Sequence, residues 1–294
     1  MADTYTTKKT APKKKESAFH ATFMRLCKNP TAICGFIIFV ILALLAILAP
    51  YITPYDYKTM DPTSLFQPPS WQHWCGTDQM GRDILTRLFY GGRYSMSMGF
   101  IAVGFAAVCG VALGSVCGYF GGKLDEIVMR LLDIFQAIPG ILLTICMAAA
   151  LGNGFDKVIW ALSITRIPGI TRLMRGSVMK IRSVEYLEAA EAIGCSKVRR
   201  IIKYVIPNAM APVIVEVTMG IASTVLQLAT LSYIGLGIQP PTPEWGAMLS
   251  DAKKYILTYP NMILYPGIFI ALTVLALNFL GDGLRDALDP KLKN

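Results

Sequence analysis

Long uncharged apolar stretches dominate the chain and are separated by polar segments. Five of them are long enough to cross a membrane, and they run over Thr31–Tyr55, Tyr94–Gly122, Ile134–Phe155, Val217–Pro243 and Tyr255–Gly281. A bilayer core about 30 Å thick takes ~20 apolar helical residues. A sixth, shorter stretch, Val158–Thr171, contains Arg166. Because the stretches are apolar at successive positions and not at alternate ones, they predict an all-α membrane protein with six transmembrane helices.

The spacing of these stretches divides the chain into five segments. They are a cytoplasmic N-terminal tail (1–29), a first transmembrane helix (30–55), an extracytoplasmic loop (56–92), a transmembrane core of five helices (93–283) and a cytoplasmic C-terminal tail (284–294). Within the core, residues 176–207 are too long for a tight turn and have a helix-forming composition. We therefore expect a structured cytoplasmic segment between the fourth and fifth spans.

The distribution of charge orients the chain. Hydrophobic residues make up 54% of it and the formal net charge is +9. With six spans and a cytoplasmic N-terminus, most of the 28 Lys and Arg residues fall on the cytoplasmic side, as the positive-inside rule requires. This distribution explains the positive charge without nucleic acid, and it predicts that both termini are cytoplasmic. The seven cysteines lie mostly in apolar or cytoplasmic segments and do not form a disulfide pattern.

The stretch "EYLEAAEAIGCSKVRRIIKYVIPN" (185–208) reads as two short helices joined by a turn. Ser183 is placed to cap the first helix, and Gly194 stands where a glycine would end it. Ser196 can cap the second helix. Pro207 fits the start of the fifth span, where a missing N–H costs little.

The charges of the first of these helices favour a protein partner over a lipid surface. On a helical projection Glu185, Glu188 and Glu191 share one face. Tyr186, Ala190 and Ile193 lie on the nearly opposite face. A helix lying on the membrane would carry bases on its polar side, because the cytoplasmic leaflet is anionic. The bases come only at 197–203, where the chain returns to the membrane.

The same stretch resembles a known signature. Glu188-Ala189-Ala190, then Gly194, then Ile206-Pro207 is similar to the "EAA" motif of permease subunits in ATP-binding-cassette importers. Three further stretches resemble the peptide/nickel branch of that family, specifically its second permease with an extra N-terminal span. They are "GTDQMGRDILTRLFYGGRYSMSMG" (76–99), "GLGIQPPTPEWGAML" (235–249) and "GDGLRDALDPKLK" (281–293).

The resemblance implies a transport subunit of the bacterial inner membrane. It implies a heterodimeric pore with a homologous permease, two cytoplasmic ATPases that bind ATP and Mg, and an extracytoplasmic substrate-binding protein. The coupling residues it implies are Glu185, Glu188, Ala189, Ala190, Gly194 and Pro207. The substrate would be di- or oligopeptides, with nickel or a metal chelate as the alternative on the same scaffold. An ATP-independent channel or carrier is the rival from another class, and it would have no ATPase for this helix to dock on.

The chemistry that the chain lacks agrees with a transport role. The sequence contains no G-x-x-x-x-G-K-[ST] phosphate loop, so an ATP site is expected on a partner and not here. It also contains no H-E-x-x-H motif, and His20 and His73 stand apart from other metal-ligand residues. We therefore expect no catalytic residues, no metal and no cofactor on this chain.

Ionisable residues within or beside the spans are candidates for the translocation pathway. Arg166 and Glu216 lie at similar predicted depths, so they either face each other or the pore, or form a buried ion pair that only joins two helices. Gln227 stands where the branch often has Glu. Asp133 either pairs with Arg130, which we favour, or lines the inner gate.

On the extracytoplasmic side, Gly81, Arg82 and Asp83 precede the second span. They either brace the outer gate or contact the binding protein, or they only form the start of a helix that Asp78 caps. The stretch "QPPTPEW" (239–245) predicts a stiff loop near the pore mouth.

Overall fold

The computed structural model describes residues 18–288; within this range the regular structure is all helix, without a strand, and the long segment between Ile52 and Ile84 is irregular. The predicted tails up to residue 17 and from residue 289, and the side chain of His20, lie outside the described residues. The helices are α1 Ala18–Leu26, α2 Pro30–Ile52, α3 Ile84–Phe120, α4 Gly122–Ala137, α5 Gly140–Leu151, α6 Phe155–Ile181, α7 Glu185–Ala192, α8 Lys197–Arg200, α9 Ile206–Tyr233, α10 Trp245–Ala252 and α11 Asn261–Leu288.

Four of the described helices are long and apolar enough to cross a membrane, namely α2, α3, the continuous helix that ends with α9, and α11. The count becomes five if α4 and α5, which meet at 89°, form one broken span. The predicted first window matches α2 closely. The second window, Tyr94–Gly122, began too late, because α3 starts at Ile84 where Asp83 caps it.

The third predicted span, Ile134–Phe155, is wrong as one straight helix. The chain breaks between α4 and α5 at Ile138, which is extended, and Pro139. Proline disfavours the helical conformation in the residue before it and has no N–H to donate. The apolar run therefore bends instead of crossing straight.

The fourth predicted span, Val158–Thr171, is too short. Helix α6 continues past it to Ile181, because two of its bases find acids on α4. Arg172 pairs with Asp133, and Arg175 binds both carboxylate oxygens of Asp125 at 2.5 and 2.6 Å. The preferred pairing of Asp133 with Arg130 is therefore wrong.

Close approach of α3 to α6 forms the centre of the molecule. A Cβ at Gly110 would come within 2.7 Å of Ile170, and one at Gly114 would come within 2.5 Å of the carbonyl oxygen of Thr171. Gly118 meets the next turn of α6 in the same way. Small residues on α3 thus let the two backbones pack closely.

The fifth predicted window, Val217–Pro243, is displaced relative to the helix. A π-helical turn, Ile201–Val205, joins α8 to α9, so helix is continuous from Lys197 to Tyr233. Pro207 therefore does not begin a helix. The N–H of Ile206 bonds to the carbonyl of Ile201 one residue further back than in an α-helix, which accommodates the missing N–H that follows.

Beyond Tyr233 the proline-rich stretch is irregular, as predicted, and leads into α10. Helix α10 packs against α9 and α11. The last predicted window, Tyr255–Gly281, began too early, because α11 starts only at Asn261 and runs on to Leu288. Helix α2 packs along α11 through Gly35, whose missing side chain leaves room for the α11 backbone near Ala276.

Candidate functional site

The turn between α7 and α8 has the local geometry that the sequence predicts. Gly194 has φ +77° directly after the last helical residues, and its N–H bonds to the carbonyl of Glu191 at 2.9 Å. The N–H of Cys195 bonds to the carbonyl of Ala190 at 3.0 Å, which completes a Schellman C-cap. Ser196 then caps α8, because its hydroxyl oxygen accepts from the N–H of Arg199.

The predicted cap at the other end of α7 is wrong. Val184, and not Ser183, occupies the N-cap position, and no side chain there bonds to the free N–H groups. Glu185 and Glu188 lie in the first turn, where their negative charge is favourable next to those N–H groups. The beginning of this helix is therefore held by charge and not by a capping hydroxyl.

The buried face of α7 differs in part from the predicted face. Leu187 and Ala190 are both buried, and Leu187 packs in a cluster with residues of α3, α6 and α9. Ile193 is 83% exposed and Tyr186 is also exposed, so the predicted apolar face holds only at Ala190. Leu187 was missed, although its spacing of three residues from Ala190 was the available signal.

The remaining surface of α7 is open. Glu185, Glu188, Ala189 and Glu191 are all exposed, and three of these four carry a negative charge. Ala189 adds no bulk between the acids. This surface, defined by these four residues, is called the acidic face below.

Arg200 on α8 holds α7 and α8 together by binding Glu191. It is buried, and it donates to Glu191 from Nη1 at 2.7 Å and from Nη2 at 3.0 Å. The hydrogen bonds from Arg200 lower the pKa of Glu191 below its ordinary value. The guanidinium also lies over the ring of Tyr119 at the end of α3. An open cleft of about 440 Å³ beside this pair runs between Tyr119, Arg182 and Glu188.

The candidate pathway residues lie along neighbouring faces of α6 and α9. Arg166 donates from Nη2 to the hydroxyl of Ser223, and its Nη1 lies over Gly220. Glu216 is exposed and attracts Arg166 only at longer range, so Ser223 and not Glu216 is the bonded partner. The Nε atom of Arg166 and the amide oxygen of Gln227 are buried without a hydrogen-bond partner.

The residues predicted to lie on the extracytoplasmic side belong to a buried ionic cluster. Asp83, not Asp78, caps α3 by accepting from the N–H of Thr86, and it also contacts His73 at 3.0 Å. Asp78 instead folds the preceding turn, since its carboxylate accepts from the backbone N–H and the Nε of Arg82. Arg82 reaches on towards Asp251 at the end of α10, at 3.5 Å.

Gly81 is required by the backbone of this turn. Its φ is +71°, and a Cβ would lie 1.9 Å from the carbonyl oxygen of Asp61. No other residue fits this position without moving the outer loop.

A second buried acid on this side was missed by sequence reasoning. Glu244 caps α10 by accepting from the N–H groups of Gly246 and Ala247 at 3.0 and 2.9 Å, and it accepts from the hydroxyl of Ser95 on α3 at 2.9 Å. Its burial raises the pKa of its carboxyl group. The neighbouring Trp245 donates from its indole to the carbonyl of Leu88. The available signal was an acid directly before an apolar helix.

Two family models match the chain. Residues 110–294 match the model described as "Binding-protein-dependent transport system inner membrane component". Residues 17–69 match the one described as "N-terminal TM domain of oligopeptide transport permease C". Together they cover α1, α2 and most of the helical core.

Relatives align along nearly the whole chain. It is 44% identical over 278 residues to the dipeptide transport system permease protein DppC of Alkalihalophilus pseudofirmus, covering 95% of this chain and 91% of the relative. It is 43% identical to the DppC protein of Haemophilus influenzae, covering 90% and 92%. It is 40% identical to the glutathione transport system permease protein GsiD of Escherichia coli, covering 96% and 93%.

A solved structure shares the fold. A chain of the inward-facing MetNI methionine ABC transporter superposes with a TM-score of 0.57 at 20% identity. The match covers 69% of this chain and 96% of that chain.

Proposed function

The chain belongs to the family of binding-protein-dependent transport system inner membrane components, and on this premise we propose that it forms half of the translocation pathway of an ATP-driven importer of small peptides. It is a multi-pass protein of the inner membrane. The relatives named for dipeptide and glutathione transport favour peptides over nickel as the substrate.

The acidic face of α7 is the observation that carries the coupling role. The helix is anchored on its own chain through Leu187, while Glu185, Glu188 and Ala189 are exposed, and the two carboxylates form no ion pair among the described residues. A carboxylate face of this kind would be repelled by anionic lipid, and it suits a basic groove on a cytoplasmic ATPase. Gly194 shapes the turn that connects this face to α8, and Pro207 lies in the continuous helix that follows.

The proposed topology has six spans, made by α2, α3, the α4–α5 pair, α6, α9 and α11, with both termini cytoplasmic. Helix α6 carries five bases and is less apolar than the other long helices, yet its 27 residues would span ~40 Å. Its buried residues face α3, α5 and α9, so neighbouring helices would shield it from lipid. Most of its bases lie towards the cytoplasmic end, as the positive-inside rule favours.

The partners follow from the same role. A homologous permease would complete the pore, two ATPases would bind ATP and Mg beneath it, and an extracytoplasmic binding protein would deliver peptide. Arg166, Glu216 and Gln227 would line the pathway, and Asp133 would hold α4 to α6 at its inner end. Gly81, Arg82 and Asp83 would keep the outer end rigid.

Uptake in proteoliposomes tests the proposal. The chain is reconstituted with its partner permease, both ATPases and the binding protein, and ATP-dependent uptake of a labelled dipeptide is measured beside uptake of labelled nickel. The variant Glu188→Lys is expected to lose most dipeptide uptake and ATPase copurification. Its matched control is Glu126→Lys, a charge reversal at an exposed position of α4. Normal uptake by Glu188→Lys, or uptake of nickel alone, would overturn the proposal.

A further inference from the structure

An apolar groove opens where α1, α2 and α11 meet. Its volume is about 300 Å³, and its lining is wholly apolar, made by Phe23, Leu26, Ile33, Phe36, Leu280 and their neighbours. Phe23 and Phe36 are about half exposed and form its walls. This groove is concave, unlike the convex sides of helices that face bulk lipid.

The groove has a floor that prevents it from closing. A Cβ on Gly283 would lie 2.3 Å from the Cβ of Ala32 and 3.2 Å from a methyl group of Leu26. The three helices are therefore already in contact below the groove, and it cannot close by bringing them closer.

A basic cavity lies directly next to this floor. Its volume is about 440 Å³, and it is lined by Arg25, Lys28, Asn29 and Asp286 among others. The single acid in this lining, Asp286, accepts a hydrogen bond from Asn29 at 3.2 Å. Among the described residues, Arg25 and Lys28 have no acid within ion-pair distance. The cavity thus offers two positive charges to an incoming anion.

The two cavities are arranged in the order of the parts of a phospholipid. Along α2, Asn29 and Pro30 line the basic cavity, and Ile33 and Phe36, one turn further into the span, line the groove. Along α11, Gly283 lines the first cavity and Leu280 the second. We propose that this corner binds one anionic phospholipid, with its phosphate on Arg25 and Lys28 and one acyl chain in the groove between α1, α2 and α11. Basic pockets between transmembrane helices at the membrane surface bind such headgroups.

Native mass spectrometry of the complete transporter tests this site. The detergent-solubilised complex is titrated with phosphatidylglycerol and, separately, with phosphatidylcholine. Wild type is expected to retain phosphatidylglycerol at least tenfold more tightly than the variant Arg25→Gln/Lys28→Gln. The control variant Lys253→Gln/Lys254→Gln removes two exposed bases elsewhere and should bind as wild type does. Equal retention of the two lipids by wild type would overturn the proposal.

A second pair of variants tests the acyl chain independently of charge. Ile33→Trp fills the groove and should weaken phosphatidylglycerol binding, while Ile37→Trp, one turn away on the same helix and outside the groove, should not. Glycerol phosphate, which has the charge without the chain, should not displace the bound lipid. Displacement by glycerol phosphate, or unchanged binding to Ile33→Trp, would show an ion site only and would refute the proposed lipid.

Discussion

Arg200 binds both carboxylate oxygens of Glu191, across the turn that separates α7 from α8. Arg200 is buried and Glu191 is exposed, so the pair fixes an outward-facing helix to the base of the helix that continues into the membrane. The contact joins the acidic face to α9 by side chains as well as by the backbone. Two connections therefore join α7 to the long helix that begins at Lys197.

Replacing Glu191 by Gln should loosen this connection. Arg200 would lose its ionic partner, and the two charge-assisted hydrogen bonds that hold α7 to α8 would be weakened. We expect several-fold lower dipeptide uptake with the subunits still assembled, measured in proteoliposomes. The exposed acid Glu126 on α4 provides the control, since Glu126→Gln removes the same charge without touching Arg200 or the acidic face, and its uptake should match wild type.

The same pair predicts a specific response to pH. Arg200 lowers the pKa of Glu191, so its contribution to stability is present above the ordinary carboxyl pKa of about 4.3 and is lost only as the pH falls through the lowered value. Hydrogen exchange of the α7 amides, corrected for intrinsic rates, should show unchanged protection between pH 5 and 7. Loss of protection already within that range would contradict the pairing.

Substitutions at Gly194 test whether the positive φ of the C-cap contributes to the stability of α7. Its φ of +77° costs a residue with a Cβ about 1–2 kcal/mol, and no neighbouring atom lies within 4 Å of the added carbon. Gly194→Ala should therefore destabilise the α7 end through backbone strain alone, and Gly194→Asn should do so less, because Asn tolerates this conformation. Exchange rates of the α7 amides measure both. Equal protection in the Ala and Asn variants would argue against strain.

Helix α3 contains a matched pair of glycines, Gly114 in its contact with α6 and Gly104 outside that contact. Gly114→Ala places a methyl group 2.5 Å from the carbonyl oxygen of Thr171 and should lower the free energy of unfolding by about 1–3 kcal/mol. Gly104→Ala meets nothing within 4 Å and should be neutral or stabilise the helix by up to about 1 kcal/mol. Thermal denaturation of the purified transporter in detergent compares them, and a larger loss in Gly104→Ala would contradict the packing described.

Glu244 predicts a pH dependence of the opposite sign. Burial raises its pKa, so the folded protein holds the proton in a pH range where the unfolded chain has lost it, and the free energy of unfolding should fall as the pH rises from about 4.3 through the raised pKa. Glu244→Gln carries no titrating group and should flatten this slope while keeping an oxygen for the α10 cap. Melting temperatures of both proteins across pH 4 to 8 are the measurement. A slope that persists in Glu244→Gln must come from other groups.

The helical class and the approximate place of most spans could be predicted from apolar runs, because bilayer thickness fixes the length of such runs. The extent of α6 could not be predicted, because the charges of Arg172 and Arg175 suggest that the apolar span has ended. In the structure these charges are neutralised by Asp133 and Asp125 on α4. These partners lie 39 and 50 residues away in the chain. Charge compensation between distant helices leaves no local pattern.

In the segment from α7 to α8, the turn and the helix caps could be predicted because they depend on local backbone conformation. The buried face of α7 was harder to predict because it depends on packing against other helices. The sequence correctly predicted that Gly194 ends α7 and that Ser196 caps α8. Leu187 was missed and Ile193 misplaced, because α7 is only eight residues long and its buried side depends on how it meets α3 and α6. The break at Pro139 carried a local signal, the proline itself, that a count of apolar residues alone overlooks.

The uninterrupted helix from Lys197 to Tyr233 has a mechanical consequence. Its 37 residues are ~55 Å long, and Arg200 lies near one end while the α10 contact lies at the other. The π-helical turn, Pro207 and Pro212 all lie in the first 16 residues, where a helix bends most easily. The ~30 Å from Val213 to Tyr233 would therefore move as one lever arm, and a tilt of about 5° would displace its far end by ~3 Å.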